Sequence, residues 1–504
     1  MTDQAASYRR ILKTSSIIGG SSVINILIGL VRTKVLAVLL GPAGMGLVGL
    51  YSGIMGTAAT VAALGVGTVG TRQVAEAVAR EDSHAIAVVR RSMFWGTLLL
   101  ALAGALTVWT LRDVLAVRVL GGAEHASAIG WLSLGVALSV TGASQGALIQ
   151  GMRRIGDMAR LSVYGSALST ALGIGLLWLW GSAALWAFVL VVPFVSFALG
   201  HVYVSRLPRL PASKVAVDEI AAQWKMLLRL GMPFMGAGLV SALVQLWIRV
   251  TVNNDLGLED VGHFQAAWSI SMQYIGFVLG AMVADYYPRL TGVINDKAAA
   301  TRLVNEQTEI ALLLSAPVFI AMLGLAPWVI QLLYSAAFAP AVDILRWQIL
   351  GDVLKVASWP LGFVILAAGA GKTFFWTETV FLLLMGGIVA GLASSVGLQI
   401  TGVAFLVAYV VYLSLVYFLA RGRIQFAWSA SVIKLLTVSF GLCVLVSVLS
   451  AFTSWGVFVA LALSTVFAIH TLGRLSLMSD LGGPVGRIGV VARRVTTKFG
   501  LKHG

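Results

Sequence analysis

Residues 15–69 read SSIIGGSSVINILIGLVRTKVLAVLLGPAGMGLVGLYSGIMGTAATVAALGVGTV and decide the fold class. Two apolar runs in this stretch, 15–40 and 44–69, are separated by a short turn at Gly41 and Pro42. A transmembrane helix requires about 20 consecutive, mostly apolar residues. Each run meets that requirement, so the stretch predicts two membrane-spanning helices joined by a tight turn.

The whole chain has the composition of a polytopic membrane protein. Of its 504 residues, 59% are hydrophobic and 11% are charged, whereas soluble domains average about 45–50% and about 25%. The mean hydropathy is +0.93. A water-soluble enzyme is therefore excluded. The single Cys443 lies within an apolar run, which leaves neither a disulfide framework nor a cysteine zinc site.

The same length rule predicts an all-α protein with about fourteen transmembrane helices. The short turns at Gly181, Gly371 and Ser454 are the least certain boundaries, so twelve or thirteen crossings are the alternatives. The predicted spans are residues 15–40, 44–69, 92–111, 127–150, 160–180, 182–204, 228–252, 264–287, 310–334, 347–370, 373–394, 399–420, 431–452 and 454–474.

The positions of the cations test this topology independently. Loops on the cytoplasmic side of membrane proteins are enriched in Lys and Arg. With the N-terminus inside, the predicted inner segments hold 27 cations and the outer segments hold three, Arg112, Arg118 and Arg346. Both termini are therefore predicted to be cytoplasmic. The net charge of +15 reflects this topology rather than a nucleic-acid partner. The first apolar run is too long for a signal peptide, so we expect it to stay uncleaved.

An internal repeat relates two glycine-rich turns that lie about 216 residues apart. Gly41 to Gly46 aligns with Gly257 to Gly262, and Arg32 and Arg249 precede the two turns at similar distances. Because the offset contains six predicted helices, the copies share one orientation, and a substrate site is expected between such parallel repeats. The alternative is that glycine-rich turns simply recur after helices. The predicted regions are two lobes, 1–220 and 221–425, two further helices in 426–476 and a basic cytoplasmic tail in 477–504.

Several cations fall within predicted spans, where an ionisable group costs roughly 2.5–3.5 kcal/mol and usually faces a cavity or a partner. Four of them lie at similar depth in the outer half of the membrane: Arg32, Lys34, Arg249 and Lys355. A ring of fixed positive charges fits a pyrophosphate, because guanidinium groups offer paired donors to phosphate oxygens. The alternative is snorkelling to the outer interface. The candidate substrate-binding residues are Arg32, Lys34, Arg249, Lys355, Arg346 and Trp359, the last as a ring for stacking on sugars.

Three acidic residues in or near predicted spans are candidates for ion coupling: Asp352, Glu378 and Asp285. A carboxylate in a partly dry cavity can exchange protons. Simpler roles remain open, because Asp352 has Lys355 and Arg346 on its own helix as local partners and Asp285 lies near the inner headgroup zone. The six histidines lack metal-ligand spacing, so no metal site is expected.

Residues 345–363 read LRWQILGDVLKVASWPLGF, and this stretch resembles the tenth-helix signature of a known family. The family comprises the Wzx-type O-antigen and enterobacterial-common-antigen translocases. These are polysaccharide flippases of the multidrug/oligosaccharidyl-lipid/polysaccharide superfamily. Leu332-Leu333-Tyr334-Ser335, Thr377-Glu378 and Arg32-Thr33-Lys34 fit the same pattern. The resemblance covers most of the first twelve spans; its tenth-helix motif is specific, whereas glycine–proline turns and basic loops are not.

The resemblance implies a two-lobed, V-shaped bundle that alternates between inward and outward openings. Such proteins translocate undecaprenyl-diphosphate-linked oligosaccharides from the cytoplasmic to the periplasmic face of the bacterial inner membrane, for surface polysaccharide assembly. It also implies transport without enzymatic catalysis, no cofactor, and coupling to a proton or sodium gradient. The implied partners are the lipid-linked glycan, membrane lipids, and the polysaccharide polymerase and chain-length machinery, with no nucleic acid.

Other functions are weighed against this interpretation. A cation-coupled multidrug or metabolite antiporter shares the superfamily fold, but its cavity should be acidic. A membrane polymerase needs a large outer loop for its chemistry, and the longest predicted outer loop runs only from about Arg112 to His125. A scaffold without transport activity does not explain the charges within the spans.

The C-terminal region departs from the shortest family members, because spans 13 and 14 exceed their twelve helices. Extra helices in relatives can hold a groove for the lipid tail. In the tail, Ile488, Val491, Val495 and Phe499 recur at helical spacing, with Arg487, Arg494 and Lys498 on another face. This pattern predicts a helix on the anionic inner leaflet, and a disordered basic tail is the alternative.

Overall fold

The predicted all-α class is confirmed by a computed structural model, which describes residues 2–208, 215–453 and 455–477 together with 490, 493 and 497. The part of the tail predicted to lie on the inner leaflet, 488–499, falls largely outside these described residues. The helices are α1 (Thr2–Ala63), α2 (Val66–Ala79), α3 (Ser83–Thr110), α4 (Arg112–Leu115), α5 (Ala126–Gly151), α6 (Ile155–Trp180), α7 (Leu185–Ser205), α8 (Val217–Asp255), α9 (Leu258–Val293), α10 (Lys297–Leu333), α11 (Ala341–Ala367), α12 (Gly371–Val396), α13 (Ile400–Ile424), α14 (Ala430–Phe452) and α15 (Gly456–Leu477).

Ten helical segments of the described residues are long and apolar enough to cross a membrane, which makes this a multi-pass membrane protein. Two of them, Gly19–Ala63 and Ile155–Ser205, contain 45 and 51 residues. At about 1.5 Å per residue, each is long enough to cross a hydrocarbon core of about 30 Å twice. Helices α8 and α9, which contain the predicted spans 228–252 and 264–287, are not among the ten segments found in the described chain. The number of fourteen crossings stays a prediction.

The predicted turns coincide with local breaks in the helices. Gly41 adopts a φ of +62° inside α1, where the glycine lacks the β-carbon that makes this left-handed region unfavourable, and Pro42 follows it. Helix α6 ends at Trp180, and a short 3₁₀ segment, Gly181–Ala184, connects it to α7. Ser454 lies outside the described residues.

Contacts within the chain divide it into two compact units, Met1–Gly262 with Leu333–Ser335, and His263–Leu332 with Ala336–Gly504. In the first unit, α5 packs against α3 and α7, and α1 packs against α6 and α8. In the second unit, α13 packs against α11 and α12, and α14 packs against α15. The lobes and the further regions predicted from the sequence stay predictions.

The first unit holds the start of α8 against α2 and α3. The apolar contact involves Val74, Met93 and Leu227, which are almost completely buried. At the edge of this contact the Nε2 atom of His84 lies 3.2 Å from Glu219 Oε1. The backbone N–H of Ala216 and the ring of His84 both donate to the Glu219 carboxylate, and these hydrogen bonds lower the pKa of its carboxyl group.

The two glycine-rich turns aligned by the predicted repeat approach each other within the first unit. A β-carbon on Gly262 would overlap the backbone carbonyl of Pro42, and one on Gly46 would overlap the carbonyl of Leu258. Each turn therefore supplies a glycine to the position where the other turn's backbone comes closest. Small residues allow such close backbone approach between membrane helices.

The replacement Gly262→Ala is expected to destabilise the protein, because its new methyl group would meet a backbone carbonyl that is unable to rotate away. Overpacking of this kind costs about 1–3 kcal/mol. The matched control is Gly276→Ala in the same helix, where a β-carbon would meet nothing within 4 Å. Thermal unfolding of the two variants in detergent is the measurement. A Gly262→Ala variant that unfolds at or above the temperature of the control would contradict the contact.

Candidate functional site

A fully buried carboxylate, Asp352, lies on α11 in the second unit. Its Oδ2 atom accepts a hydrogen bond of 2.7 Å from the Ser271 hydroxyl and another from the Tyr274 hydroxyl. Both donors lie on α9, three residues apart and therefore on the same face of that helix. Among the described residues, no group donates to Asp352 Oδ1. One carboxylate oxygen is thus held by protein donors, and the other is available to a proton or a cation.

Lys355 lies one turn after Asp352 on α11. Its Nζ atom is 3.5 Å from the sulfur of Met272 and 5.8 and 5.7 Å from the ring centroids of Phe405 and Tyr409. Aromatic faces at this distance attract an ammonium group. The Lys355 charge also interacts with the carboxylates of Asp352 and Glu378.

Glu378 supplies the second carboxylate from α12. It is partly buried and accepts a hydrogen bond from the Tyr412 hydroxyl on α13. Asp352, Lys355 and Glu378 form what we call the buried charge cluster. With all three groups ionised, the cluster carries a net charge of −1. Since an uncompensated charge at membrane depth is costly, one proton or one monovalent cation would neutralise it.

An aromatic group follows the cluster along α11. Trp359 stacks on Tyr286 with a centroid distance of 6.1 Å, and its ring lies 4.6 Å from that of Phe363. The hydroxyl of Tyr286 donates to the carbonyl of Pro360 at 3.0 Å. Trp359 is therefore part of a packed aromatic contact, and its predicted role in stacking on sugars stays a prediction.

Two other candidates are engaged elsewhere in the second unit. The Arg346 side chain, 11% exposed, lies 3.5 Å from Asp343 and donates to the carbonyl of Ser450 at 3.0 Å. Asp285 forms an ion pair of 3.1 Å with Arg289, one turn away on α9, and both side chains are about 40% exposed. The described contacts of Arg346 and Asp285 are thus with residues outside the buried charge cluster.

The remaining three candidate cations belong to the first unit. The guanidinium of Arg32 lies 4.9 Å from the ring centroid of Phe188. The ammonium of Lys34 donates to the carbonyl of Tyr334 at 2.7 Å. The Nη1 atom of Arg249 lies 3.5 Å from the point where a β-carbon on Gly53 would stand, so α8 places this guanidinium against α1. All three are partly buried, and the predicted ring that joins them to Lys355 stays a prediction.

The hydroxyl groups that hold the two carboxylates were not predicted from the sequence. Ser271 and Tyr274 are three residues apart on α9. Tyr412 on α13 lies three residues after Tyr409, whose ring is close to Lys355. A pair of polar residues at this spacing marks one helix face, which is the signal that points to them. Such pairs are common in apolar helices, so the spacing alone does not identify the acceptor.

A groove of about 680 Å³ lies between α10, α14 and α15 in the second unit. Leu442, Leu463 and Val466 line its apolar part. At its polar end, Arg474 lies 3.2 Å from the Glu309 carboxylate. The helices beyond the twelfth predicted span therefore do form a groove with an apolar wall and a charged end.

The fold is that of the transporters of the MOP superfamily, the multidrug/oligosaccharidyl-lipid/polysaccharide superfamily. The structure of lipid II flippase MurJ in an inward closed conformation matches 91% of this chain and 99% of its own, with a TM-score of 0.69 and 13% sequence identity. An inward-facing multidrug resistance MATE family transporter matches 81% of this chain and 96% of its own, with a TM-score of 0.65 and 18% identity. At these identities the likeness concerns the fold alone.

Residues 35–343 match the polysaccharide biosynthesis protein family, and the chain belongs to this family. Over 168 residues it is also 28% identical to the lipid III flippase of Escherichia coli (strain K12). That match covers 33% of this chain and 40% of the relative's length. The family match confirms the resemblance at the level of the family, and the solved structures confirm the expected fold.

Replacing Lys355 by Met should destabilise the second unit, because it leaves two carboxylates without their nearest positive charge. Removing one partner from a buried group of charges costs about 3–5 kcal/mol. Adding Asp352→Asn to the same chain should recover part of this loss, since the two sites are coupled. The measurement is thermal unfolding of both single variants and the double variant, with Lys372→Met on the exposed start of α12 as control. If the change in unfolding temperature of the double variant equals the sum of the changes in the two single variants, the two residues do not interact.

Proposed function

We propose that the protein is a flippase that moves an undecaprenyl-diphosphate-linked oligosaccharide from the cytoplasmic to the periplasmic leaflet of the bacterial inner membrane. The observation that carries the proposal is a set of cations within helices of the first unit, Arg32, Lys34 and Arg249, in a chain of the polysaccharide biosynthesis protein family. In this proposal both termini are cytoplasmic and the protein is not an enzyme. The exported glycan then serves a polysaccharide polymerase and its chain-length machinery, which build O-antigen, common antigen or exopolysaccharide.

The cations have the chemistry that a diphosphate requires. Guanidinium groups form paired, charge-assisted hydrogen bonds with phosphate oxygens, and a diphosphate repays the cost of holding them at membrane depth. We assign the diphosphate to Arg32, Lys34, Arg249 and Lys355 during the transport cycle. Arg346 and Trp359 are proposed to contact the glycan. In this proposal the protein works by alternating access, and the isoprenoid tail of the substrate stays on the lipid side. The groove lined by Leu442, Leu463 and Val466 offers that tail an apolar surface.

The buried charge cluster is proposed to couple transport to an ion gradient. Its net charge of −1 and the Asp352 oxygen that receives no described hydrogen bond suit one proton or one sodium ion. Asp352 and Glu378 are the coupling residues in this proposal. Asp285 is a weaker candidate, because it is already paired with Arg289 at a partly exposed site.

The replacement Arg249→Ala is expected to abolish glycan export without preventing membrane insertion. In a host that lacks the gene, lipid-linked glycan should accumulate on the cytoplasmic side, and surface polysaccharide should disappear. The wild-type gene should reverse both effects, and Arg249→Ala should reverse neither. The matched control is Arg229→Ala, an exposed arginine on the same helix. Full export by Arg249→Ala at normal protein levels would contradict a role in holding the diphosphate.

The replacement Asp352→Asn is expected to remove the dependence of transport on the ion gradient. The amide keeps the size of the carboxylate but loses its charge, so the cluster no longer needs an added cation. The measurement is glycolipid translocation in proteoliposomes with an imposed proton or sodium gradient, which should stimulate the wild type and leave the variant at its basal rate. The control is Glu306→Gln, an exposed carboxylate on α10. Equal stimulation of variant and control would remove Asp352 from the coupling mechanism.

The second candidate function is a cation-coupled antiporter of drugs or metabolites. It is favoured by the net negative charge cluster and by the likeness of the fold to a MATE transporter. The same deletion strain separates the two functions. Unchanged glycolipid combined with altered sensitivity to cationic drugs would support the antiporter and reject the flippase.

A further inference from the structure

A second groove, separate from the residues assigned to transport, lies between α3, α5 and α7 in the first unit. Its volume of about 1040 Å³ is just above the range of about 300–1,000 Å³ that is usual for ligand pockets. Phe94 and Leu102 of α3 form its rim and are about 60% exposed. Because this rim is apolar and exposed on membrane-spanning helices, the groove opens to lipid.

The groove spans about the depth of a single membrane leaflet. Its lining on α3 runs from Arg90 and Arg91 to Leu102. From Arg91 to Leu102, at about 1.5 Å per residue, this is roughly 16 Å, which is half of a hydrocarbon core of about 30 Å. The arginines lie at the end that the topology places on the cytoplasmic side. The groove thus matches the length of one acyl chain of the inner leaflet.

The charged end of the groove is complementary to an anionic headgroup. Arg90, Arg91 and His201 lie there, and no acidic residue lines the groove. Within the described part of the chain, no carboxylate forms an ion pair with any of these three residues. The His201 ring stacks on Phe197 at a centroid distance of 6.4 Å, which fixes its position. Basic pockets between transmembrane helices on the cytoplasmic side typically bind anionic lipid headgroups.

The inner half of the groove also offers a hydrogen-bond acceptor. Gln145 lines it from α5, and its Oε1 atom is buried and receives no hydrogen bond from the described residues. This atom lies against Gly200, the residue before His201. A buried acceptor without a donor is costly. A headgroup that carries a hydroxyl would supply the missing donor next to the basic residues.

We propose that this groove is a binding site for an anionic phospholipid of the inner leaflet with a hydroxyl-bearing headgroup, such as phosphatidylglycerol. The phosphate pairs with Arg90, Arg91 and His201, the headgroup hydroxyl donates to Gln145, and one acyl chain lies along α3, α5 and α7. A long polyprenyl chain exceeds a groove of one leaflet's depth, so the occupant is a membrane phospholipid rather than the transported glycolipid. The lipid ties the cytoplasmic ends of α3 and α7 together.

The test is native mass spectrometry of the purified full-length protein with added phosphatidylglycerol or phosphatidylcholine. The wild type should retain phosphatidylglycerol preferentially. The double variant Arg90→Gln/Arg91→Gln should bind it on the order of 30-fold more weakly, the size expected when two basic groups next to a headgroup are lost. The matched control is Arg80→Gln/Arg302→Gln, which removes the same charge from exposed positions outside the groove.

A second variant tests the apolar part without changing charge. Ala137→Phe puts a ring into the groove on α5, and it should reduce phosphatidylglycerol binding while both arginines remain. Equal retention of the two lipids by the wild type would overturn the proposal, as would unchanged binding by the double variant and the ring variant. Displacement of phosphatidylglycerol by a polyprenyl diphosphate at the same stoichiometry would also overturn it and assign the groove to the substrate. None of these readouts depends on transport, so they stand whether or not the protein is a flippase.

Discussion

The desolvation of charge within the membrane is the constraint on which the arrangement of the second unit depends. Asp352 lies on a largely apolar helix, α11, and α9 brings two hydroxyl groups to one of its oxygens. Lys355 on the same helix and Glu378 on α12 add one charge of each sign. Helices α9, α11, α12 and α13 must therefore stay in register, because a small shift would leave a buried carboxylate without its donors.

In the first unit, close contact between helix backbones determines how the helices pack. Membrane helices gain no hydrophobic free energy from meeting in lipid, so they associate through tight packing at small residues. The chain contains 55 glycines, and four of them bring α1 to α8 and α9. Gly46 and Gly262 each contact the backbone of the opposite turn. In the same way, a β-carbon on Gly65 would overlap the carbonyl of Gly231, and one on Gly231 would overlap the carbonyl of Leu64. The left-handed φ of +70° at Gly65 adds a second reason for glycine at that position.

Much of the fold and part of the candidate site were predictable from the sequence. Apolar runs of fixed length predict helices, because the bilayer requires every backbone group to be bonded within its own segment. Asp352, Lys355 and Glu378 stand out since a charge interrupts such a run. The hydroxyls of Ser271, Tyr274 and Tyr412 do not, because serine and tyrosine cost little in an apolar helix and their partner lies on another helix. The stacking of Trp359 on Tyr286 was not predictable either, because the two rings lie on different helices and meet only through tertiary packing.

The distribution of charge between the two units is the basis on which we propose a flippase rather than a drug antiporter. A ligand shifts a conformational equilibrium only by its difference in affinity for the two states. The first unit holds Arg32, Lys34 and Arg249 within its helices, and the second holds a cluster with one excess negative charge. An antiporter of organic cations would use the negative cluster, and its substrate would not require the three cations of the first unit. The proposed flippase assigns a role to both sets of charges: the diphosphate of the substrate to the cations of the first unit, and the coupling cation to the cluster of the second.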